Sequence, residues 1–306
     1  MTIKHLVISG GGHSIFRTIG ALNWLEQREY WRVCDIESIY GTSAGAIFGA
    51  IICLQFEHSI VENYLLNRPW HEAFTIKVDQ LISAYANKGV FDHTAMEIIF
   101  KPLLSAKDLP LSLTMKELYE FSNIELHMFS LEVNAFKTVD ISHKTHPDLP
   151  LLSALVMTSA IPGIFSPFCD DNGHCFVDGG VTSNYPLHWC VNAGHDLDEI
   201  LGLKFNYDKE KEENKVHNSI ITKDSNLLDF FLTLFGKLVR KVGTENTQPF
   251  VPNEVVCNAT CMSYETLTSA LSSVENRKLL LEEGIASAKE FFESRKLRVA
   301  CLESPA

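Results

Sequence analysis

The stretch Ile36-Glu37-Ser38-Ile39-Tyr40-Gly41-Thr42-Ser43-Ala44-Gly45-Ala46-Ile47-Phe48-Gly49-Ala50 decides the fold. An apolar run ends in Gly41-Thr42-Ser43-Ala44-Gly45 and a second apolar run follows at once, the order of a strand, a sharp turn and a helix. A serine at the apex of such a turn is lifted clear of the backbone. Glycines on both sides remove the Cβ atoms that would collide where strand and helix approach each other. In this context Gly-x-Ser-x-Gly reads as the nucleophile elbow of a serine hydrolase, and the context carries more weight than the five-residue pattern.

Toward the N-terminus, residues 5–9 form a compact apolar run closed by Gly10-Gly11-Gly12, after which Ile15, Ile19, Leu22 and Leu25 recur at helical spacing. Strand, turn and helix therefore come twice in succession, which predicts an α/β fold with a mainly parallel sheet. Residues 59–119 read as mainly helical, with turns at 87–89, Pro102 and Pro110. Residues 125–131 and 137–142 read as strands, and 151–159 as a helix stopped by Ile161-Pro162-Gly163. Residues 165–168 and 175–177 read as the arms of a hairpin around Asp170-Asp171-Asn172-Gly173, and 200–205 as one more strand. The charge-dense run 208–214 reads as an exposed loop, and the chain from about 219 onward as mainly helical.

With 306 residues, 46 % hydrophobic and 21 % charged, the chain can bury a large α/β core. A net charge of −12 argues against a nucleic-acid partner and against simple electrostatic adsorption to anionic membranes, so any peripheral membrane contact has to be apolar or local. The eight cysteines contain no Cys-x-x-Cys pair and read as free or buried thiols of a reducing compartment. Cys169 and Cys175 flank the hairpin turn and could face each other, yet are expected to stay reduced. The N-terminal apolar run is too short for a signal peptide, and the longest apolar run, 44–56, is too short to cross a bilayer. A cytoplasmic protein, soluble or peripheral, is the expectation.

Acyl transfer needs a nucleophile, a base to take its proton, and donors where the oxyanion develops. Ser43 is the candidate nucleophile. Gly10, Gly11 and Gly12, between a strand and a helix, can present unhindered backbone N–H groups and are the oxyanion-hole candidates. None of the twelve histidines stands in a family-type context. Asp178 does, because Val177-Asp178-Gly179-Gly180 brings a carboxylate to the end of a strand with a backbone free to turn sharply. A dinucleotide fingerprint would need glycine where Ile15 stands, and the acidic hairpin tip lacks the length and closing glutamate of a calcium loop. His13 reads as a helix-start histidine without a role. No cofactor and no metal are expected.

Four motifs come in order: Ser9-Gly10-Gly11-Gly12 with Gly20-Ala21-Leu22, the elbow, Thr158-Ser159-Ala160-Ile161-Pro162-Gly163, and Val177-Asp178-Gly179-Gly180 leading to Asn184-Tyr185-Pro186. Over about residues 4–205 the chain thereby resembles the patatin-like phospholipase family, intracellular lipid acyl hydrolases with a Ser-Asp dyad. The resemblance implies a three-layer α/β/α architecture, distantly related to α/β-hydrolases, with Ser43 as nucleophile, Asp178 as general base and the glycine run as oxyanion hole. The implied substrate is a lipid, a phospholipid or an acylglycerol, cleaved at a fatty-acyl ester without a metal. One departure matters. The family usually follows the glycine run with a basic residue and another glycine, where this chain has His13, Ser14 and Ile15, with Ser14 at the basic position. Losing a charge from an oxyanion site can cost about two to three orders of magnitude in rate, and Arg17, one helical turn further on, is the candidate to restore it.

The expected division is a catalytic domain over 1–205 and a mainly helical part over 206–306, packed on it or covering an acyl groove. Two rival readings are a Ser-His-Asp esterase using His188 or His195 and a lipid-binding protein without turnover. Residues 227–242 carry one broad apolar face ending in Lys237, Arg240 and Lys241. They read first as a core helix with its cations at the negative dipole end, and second as a lid or lipid-contacting helix.

Overall fold

The computed structural model describes residues 2–74, 78–207, 220–245 and 248–303, so the 208–214 run expected as a loop lies outside the described residues. The chain runs through β1 (His5–Ile8), α1 (Ile15–Glu26), β2 (Ser38–Thr42), α2 (Ala44–Cys53), α3 (His58–Asn67), α4 (Trp70–Ala73), α5 (Val78–Asn87), β3 (Gly89–Phe91), α6 (Thr94–Ser105) and α7 (Met115–Ser122). There follow β4 (Glu125–Glu132), β5 (Lys137–Ile141), α8 (Leu151–Ser159), β6 (Gly163–Phe165), β7 (Phe168–Cys169), β8 (Cys175–Asp178), α9 (Gly180–Ser183), α10 (Leu187–Asn192) and β9 (Ile200–Asn206). The last elements are α11 (Leu227–Glu245), β10 (Asn253–Asn258), α12 (Tyr264–Ser272) and α13 (Val274–Glu303).

The main sheet has the order β10-β9-β1-β2-β4-β8-β7, with β5 also paired to β4. From β10 to β4 every pairing is parallel, whereas β8 and β5 run antiparallel to β4. Side chains alternate across β1. Leu6 and Ile8 enter the larger core with Ile19 and Leu22 of α1 and Ala50 of α2, while Val7 joins Tyr40, Phe129, Leu187 and Cys190 on the other face. Helices cover both faces, as a buried parallel sheet requires, so the architecture is α/β in three layers. The chain leaves β1 for β2 on one side and later returns to it with β9 on the other. Such a change of direction opens a crevice beyond the C-terminal ends of the central strands.

Two strands escape the sequence reading. β3 lies at the 87–89 turn of the helical stretch and exists by pairing with β6, Gly89 with Gly163 and Phe91 with Phe165. β10 sits in the segment expected to be mainly helical and pairs with β9 from Asn253–Leu201 to Asn258–Asn206. Both are stabilised by partners remote in sequence. One expectation is corrected: Cys169 and Cys175 form a disulfide, because β7 and β8 place them directly opposite each other with their Cα atoms 4.1 Å apart.

The C-terminal α13 lies along α1, and two glycines permit the approach. A Cβ on Gly20 would strike the Leu281 carbonyl and one on Gly284 the Arg17 carbonyl. For α11 the core-helix expectation holds on one face only. Leu232 and Phe235 are buried against Val90, Phe91, Ile161 and Ile164, while Leu227, Phe230, Leu234 and Leu238 are exposed.

Candidate active site

Ser43 stands between the last residue of β2 and the first of α2, with φ 54° and ψ −127°. A non-glycine residue adopts such a conformation only where the surroundings impose it. Here they do. A Cβ on Gly41 would lie 2.8 Å from the Cα of Ala46, and one on Gly45 would strike the Ile8 carbonyl of the neighbouring strand. The Ser43 amide donates to Thr158 Oγ1 at 3.1 Å, and the Thr158 hydroxyl donates in turn to the Phe129 carbonyl of β4 at 2.6 Å. Thr158 therefore holds the turn against the sheet. Thr158 opens the motif that runs to Gly163, but its positioning role is not legible in the sequence, because its partners lie 115 and 29 residues away.

Asp178 closes β8, opposite Ser130 of β4, and its amide donates to the Ala160 carbonyl at 2.9 Å. The side chain is 1 % exposed. Gly180 N–H donates to Oδ1 at 2.7 Å, and Oδ2 has no hydrogen-bond partner. Burial pushes the carboxyl up to about 7, opposed by the neighbouring Ser43 hydroxyl and by the Gly180 amide. A carboxylate poised there is a far better proton acceptor at neutral pH than an ordinary one.

Ser43, Asp178 and all three glycines of the run line one small cavity of about 40 Å³. Within the run the amides differ. Gly10 donates to the Asn184 carbonyl at 2.9 Å and accepts from Asn184 Nδ2 at 3.0 Å, so its N–H is committed to holding the loop. The expectation that Gly10 serves as an oxyanion donor is thereby corrected, and Gly11 and Gly12 are the donors left in the run. Gly12 has φ +52°, a conformation that suits glycine. Asn184, the first residue of Asn184-Tyr185-Pro186, thus clamps the glycine run, a role that only the fold reveals.

Arg17 does not join the site. Its guanidinium is buried beside α13, where Nε donates to Glu283 Oε2 at 2.8 Å, Nη2 lies 2.6 Å from the same oxygen and Nη1 donates to Ser14 Oγ at 3.2 Å. Its charge is matched by Glu283, which corrects the expectation of charge support. The cation lining the cavity is Arg240 of α11, whose Nη1 lies 3.0 Å from Cys261 Sγ. The sequence shows Arg240 as one of three cations at a helix end and cannot show that this one points inward.

Ser43 also lines a second, almost wholly apolar cavity of about 180 Å³, bounded by Phe16, Ile47, Phe48, Trp70 and Leu232 among others. His13 lies on its wall, and burial pushes its imidazole down to about 4, so it is neutral at physiological pH. A third cavity, of about 530 Å³ and with mixed polar and apolar walls, lies beyond Asn184 and Arg240. His188 lines that one, away from Ser43. His195 stacks on His5 at 3.6 Å and meets the Tyr40 hydroxyl at 3.2 Å, at the end of β1 opposite the glycine run. Neither completes a triad with Ser43 and Asp178. Among the described residues no cluster of histidine, cysteine and carboxylate groups could hold a metal ion, and no helix is long and apolar enough to cross a membrane.

A family model described as Patatin-like phospholipase matches residues 6–190. A protein named "Probable lipid hydrolase 463L", from Invertebrate iridescent virus 6, is 30 % identical over 191 residues, which are 60 % of this chain and 62 % of that protein. The match thus spans less than two thirds of that relative's length. An uncharacterized protein of Acanthamoeba polyphaga mimivirus is 24 % identical over 242 residues, 76 % of this chain and 74 % of the other. Among solved structures, the crystal structure of VipD from Legionella pneumophila superimposes with a TM-score of 0.57 at 16 % identity, covering 96 % of this chain and 67 % of that one, a likeness of fold.

Proposed function

Because the chain belongs to the patatin-like phospholipase family, whose model spans more than half of it, we propose that it is a lipid acyl hydrolase working through Ser43 and Asp178. The observation that carries the reading is that Ser43, held at positive φ, borders both the cavity containing Asp178 and the apolar cavity beside it. The acyl chain of a phospholipid or acylglycerol lies in the apolar cavity, which brings its ester carbonyl to Ser43. Asp178 accepts the hydroxyl proton on Oδ2, the oxygen left without a partner, as Ser43 Oγ attacks the carbonyl carbon. The Gly11 and Gly12 amides stabilise the oxyanion. The proton passes to the leaving alcohol, and water attacks the acyl-enzyme to release the fatty acid and restore Ser43.

A carboxylate is a weak base for a serine hydroxyl, and the burial of Asp178 compensates by raising its basicity. In this reading residues 1–205 are the catalytic part. Of the part over 206–306, the described residues are mainly helical but also add β10 to the central sheet, and they cover the cavity through Phe235, Val239 and Arg240 of α11 and through Cys261 and Met262.

A fluorophosphonate probe tests the proposal, since the reagent needs both an activated serine and a working oxyanion site. Its adduct is expected on Ser43 by mass spectrometry and is expected to disappear in Asp178→Asn. Labelling of another serine, or undiminished labelling in Asp178→Asn, refutes the dyad. A folded protein that takes no label and releases no fatty acid from lipid favours binding without turnover, the outcome to which Ser14 at the usual basic position would point.

A further inference from the structure

We infer that the outer face of α11 is the surface by which the chain docks on an anionic lipid bilayer, an inference that rests on the acyl-hydrolase reading of the site. The helix has two apolar faces. Leu228, Phe231, Leu232, Phe235 and Val239 pack inward, and Phe235 and Val239 reach the cavity of Ser43 and Asp178. On the other side Leu227, Phe230, Leu234 and Leu238 are 69, 45, 43 and 44 % exposed. Their spacing of three, four and four residues sets them in one continuous stripe. A surface helix ordinarily presents polar residues to water, and a contiguous apolar stripe there marks a contact surface.

Charge selects the occupant. Lys237 is exposed and follows the stripe by helical spacing, so the outer face carries a cation beside its apolar residues. Asp229, the acidic residue of the first turn, is turned aside, accepting a hydrogen bond from the Tyr264 amide of α12 at 3.3 Å. A basic, apolar face on a chain of net charge −12 is a local exception, and it matches a surface that is apolar inside and anionic at its headgroups. Neighbouring exposure is consistent. Ile220 and Ile221 precede the helix, and α5, whose Ala84 packs into the same cluster, exposes Ile82 and Tyr85. Docking by this face sets the roof of the catalytic cavity on the lipid phase, so that an acyl chain enters without crossing water.

The test measures partition onto phosphatidylcholine vesicles with and without phosphatidylserine, together with hydrolysis of a water-soluble short-chain ester. Wild-type protein is expected to bind the phosphatidylserine vesicles. The double variant Leu234→Ser/Leu238→Ser, which touches neither cavity, is expected to bind about tenfold more weakly or worse and to hydrolyse the soluble ester at the wild-type rate. Lys237→Glu, a second variant with no apolar loss, is expected to reduce the preference for phosphatidylserine. Equal partition of wild type and double variant overturns the inference, as does a wild type that ignores both vesicles. So does a dimer that the double variant dissociates with no change in vesicle binding, which would make a second copy the occupant. Absence of soluble-ester hydrolysis in the wild type would count against the dyad, while the partition result would still decide the docking surface.

Discussion

Replacing Asp178 by asparagine should abolish turnover and at the same time stabilise the fold at neutral pH. The carboxyl is 1 % exposed, and burial sets its pKa at about 7 against 3.8 for the ordinary group. Between these values the unfolded chain releases the proton while the folded chain retains it. Wild-type stability contributed by this group is therefore fully present below about pH 4 and declines as pH rises, by about 1.4 kcal/mol per pH unit, until the folded carboxyl ionises near pH 7. The accumulated loss is about 4 kcal/mol, a large part of the stability of an ordinary domain. Asparagine cannot ionise, keeps an oxygen for the Gly180 amide, and escapes the loss. Urea unfolding of wild type and Asp178→Asn, followed by tryptophan fluorescence across this pH range, isolates the group as a difference curve. The variant should gain about 4 kcal/mol on wild type between about pH 4 and pH 8, with no further gain above. A difference that stays constant with pH would refute the argument that a buried, ionisable carboxyl sits at the site. In parallel, if Asp178 takes the Ser43 proton as proposed, kcat/KM of the wild type should rise with pH through about 7, as its carboxyl ionises.

Other perturbations test the supporting structure. Ser43→Ala removes the hydroxyl that opposes the burial of Asp178 and should move the Asp178 titration upward, readable as a shift of the same stability curve to higher pH. Thr158→Val removes the acceptor of the Ser43 amide and the hydroxyl donor to the Phe129 carbonyl and should cost about 2 kcal/mol of stability, with kcat falling more than KM rises because Ser43 is displaced. Arg17→Ala should lower stability by about 1–3 kcal/mol through the lost bonds to Glu283 and Ser14 while leaving kcat nearly intact; a collapse of kcat at unchanged stability would restore Arg17 to the chemistry. Gly12→Ala forces a Cβ into positive φ and to 2.7 Å from Met262 Sδ, so a thermal melt should report a loss of about 1–2 kcal/mol alongside loss of turnover.

Position 14 illustrates how a local reading can be sound in its premise and wrong in its remedy. The sequence shows a serine where a cation is usual in the family, and Arg17 is the nearest cation on the same helix. The structure pairs Arg17 with Glu283, 266 residues away, and places a different cation, Arg240, on the wall of the cavity. Helical spacing indicates which face a residue shares and is silent about what lies opposite that face. The same holds for Gly10, whose amide is taken by Asn184, and for the expected reduced cysteines, which two short strands bring together.

What the sequence determined by itself is what depends on neighbours along the chain. The elbow at Ser43 follows from glycines two residues to either side, the parallel sheet from the repeated strand-turn-helix order, and Asp178 at a strand end from the two glycines after it. Those features rest on backbone conformation and apolar periodicity, which act over a few residues. Tertiary structure decided what depends on residues meeting from far apart. The union of β10 with β9, the clamp of Asn184 on the glycine run, the brace of Thr158 behind Ser43 and the inward turn of Arg240 all follow from packing of distant segments. So does the basicity of Asp178, because desolvation is a property of everything that surrounds the carboxyl, and most of what surrounds it is remote in the chain.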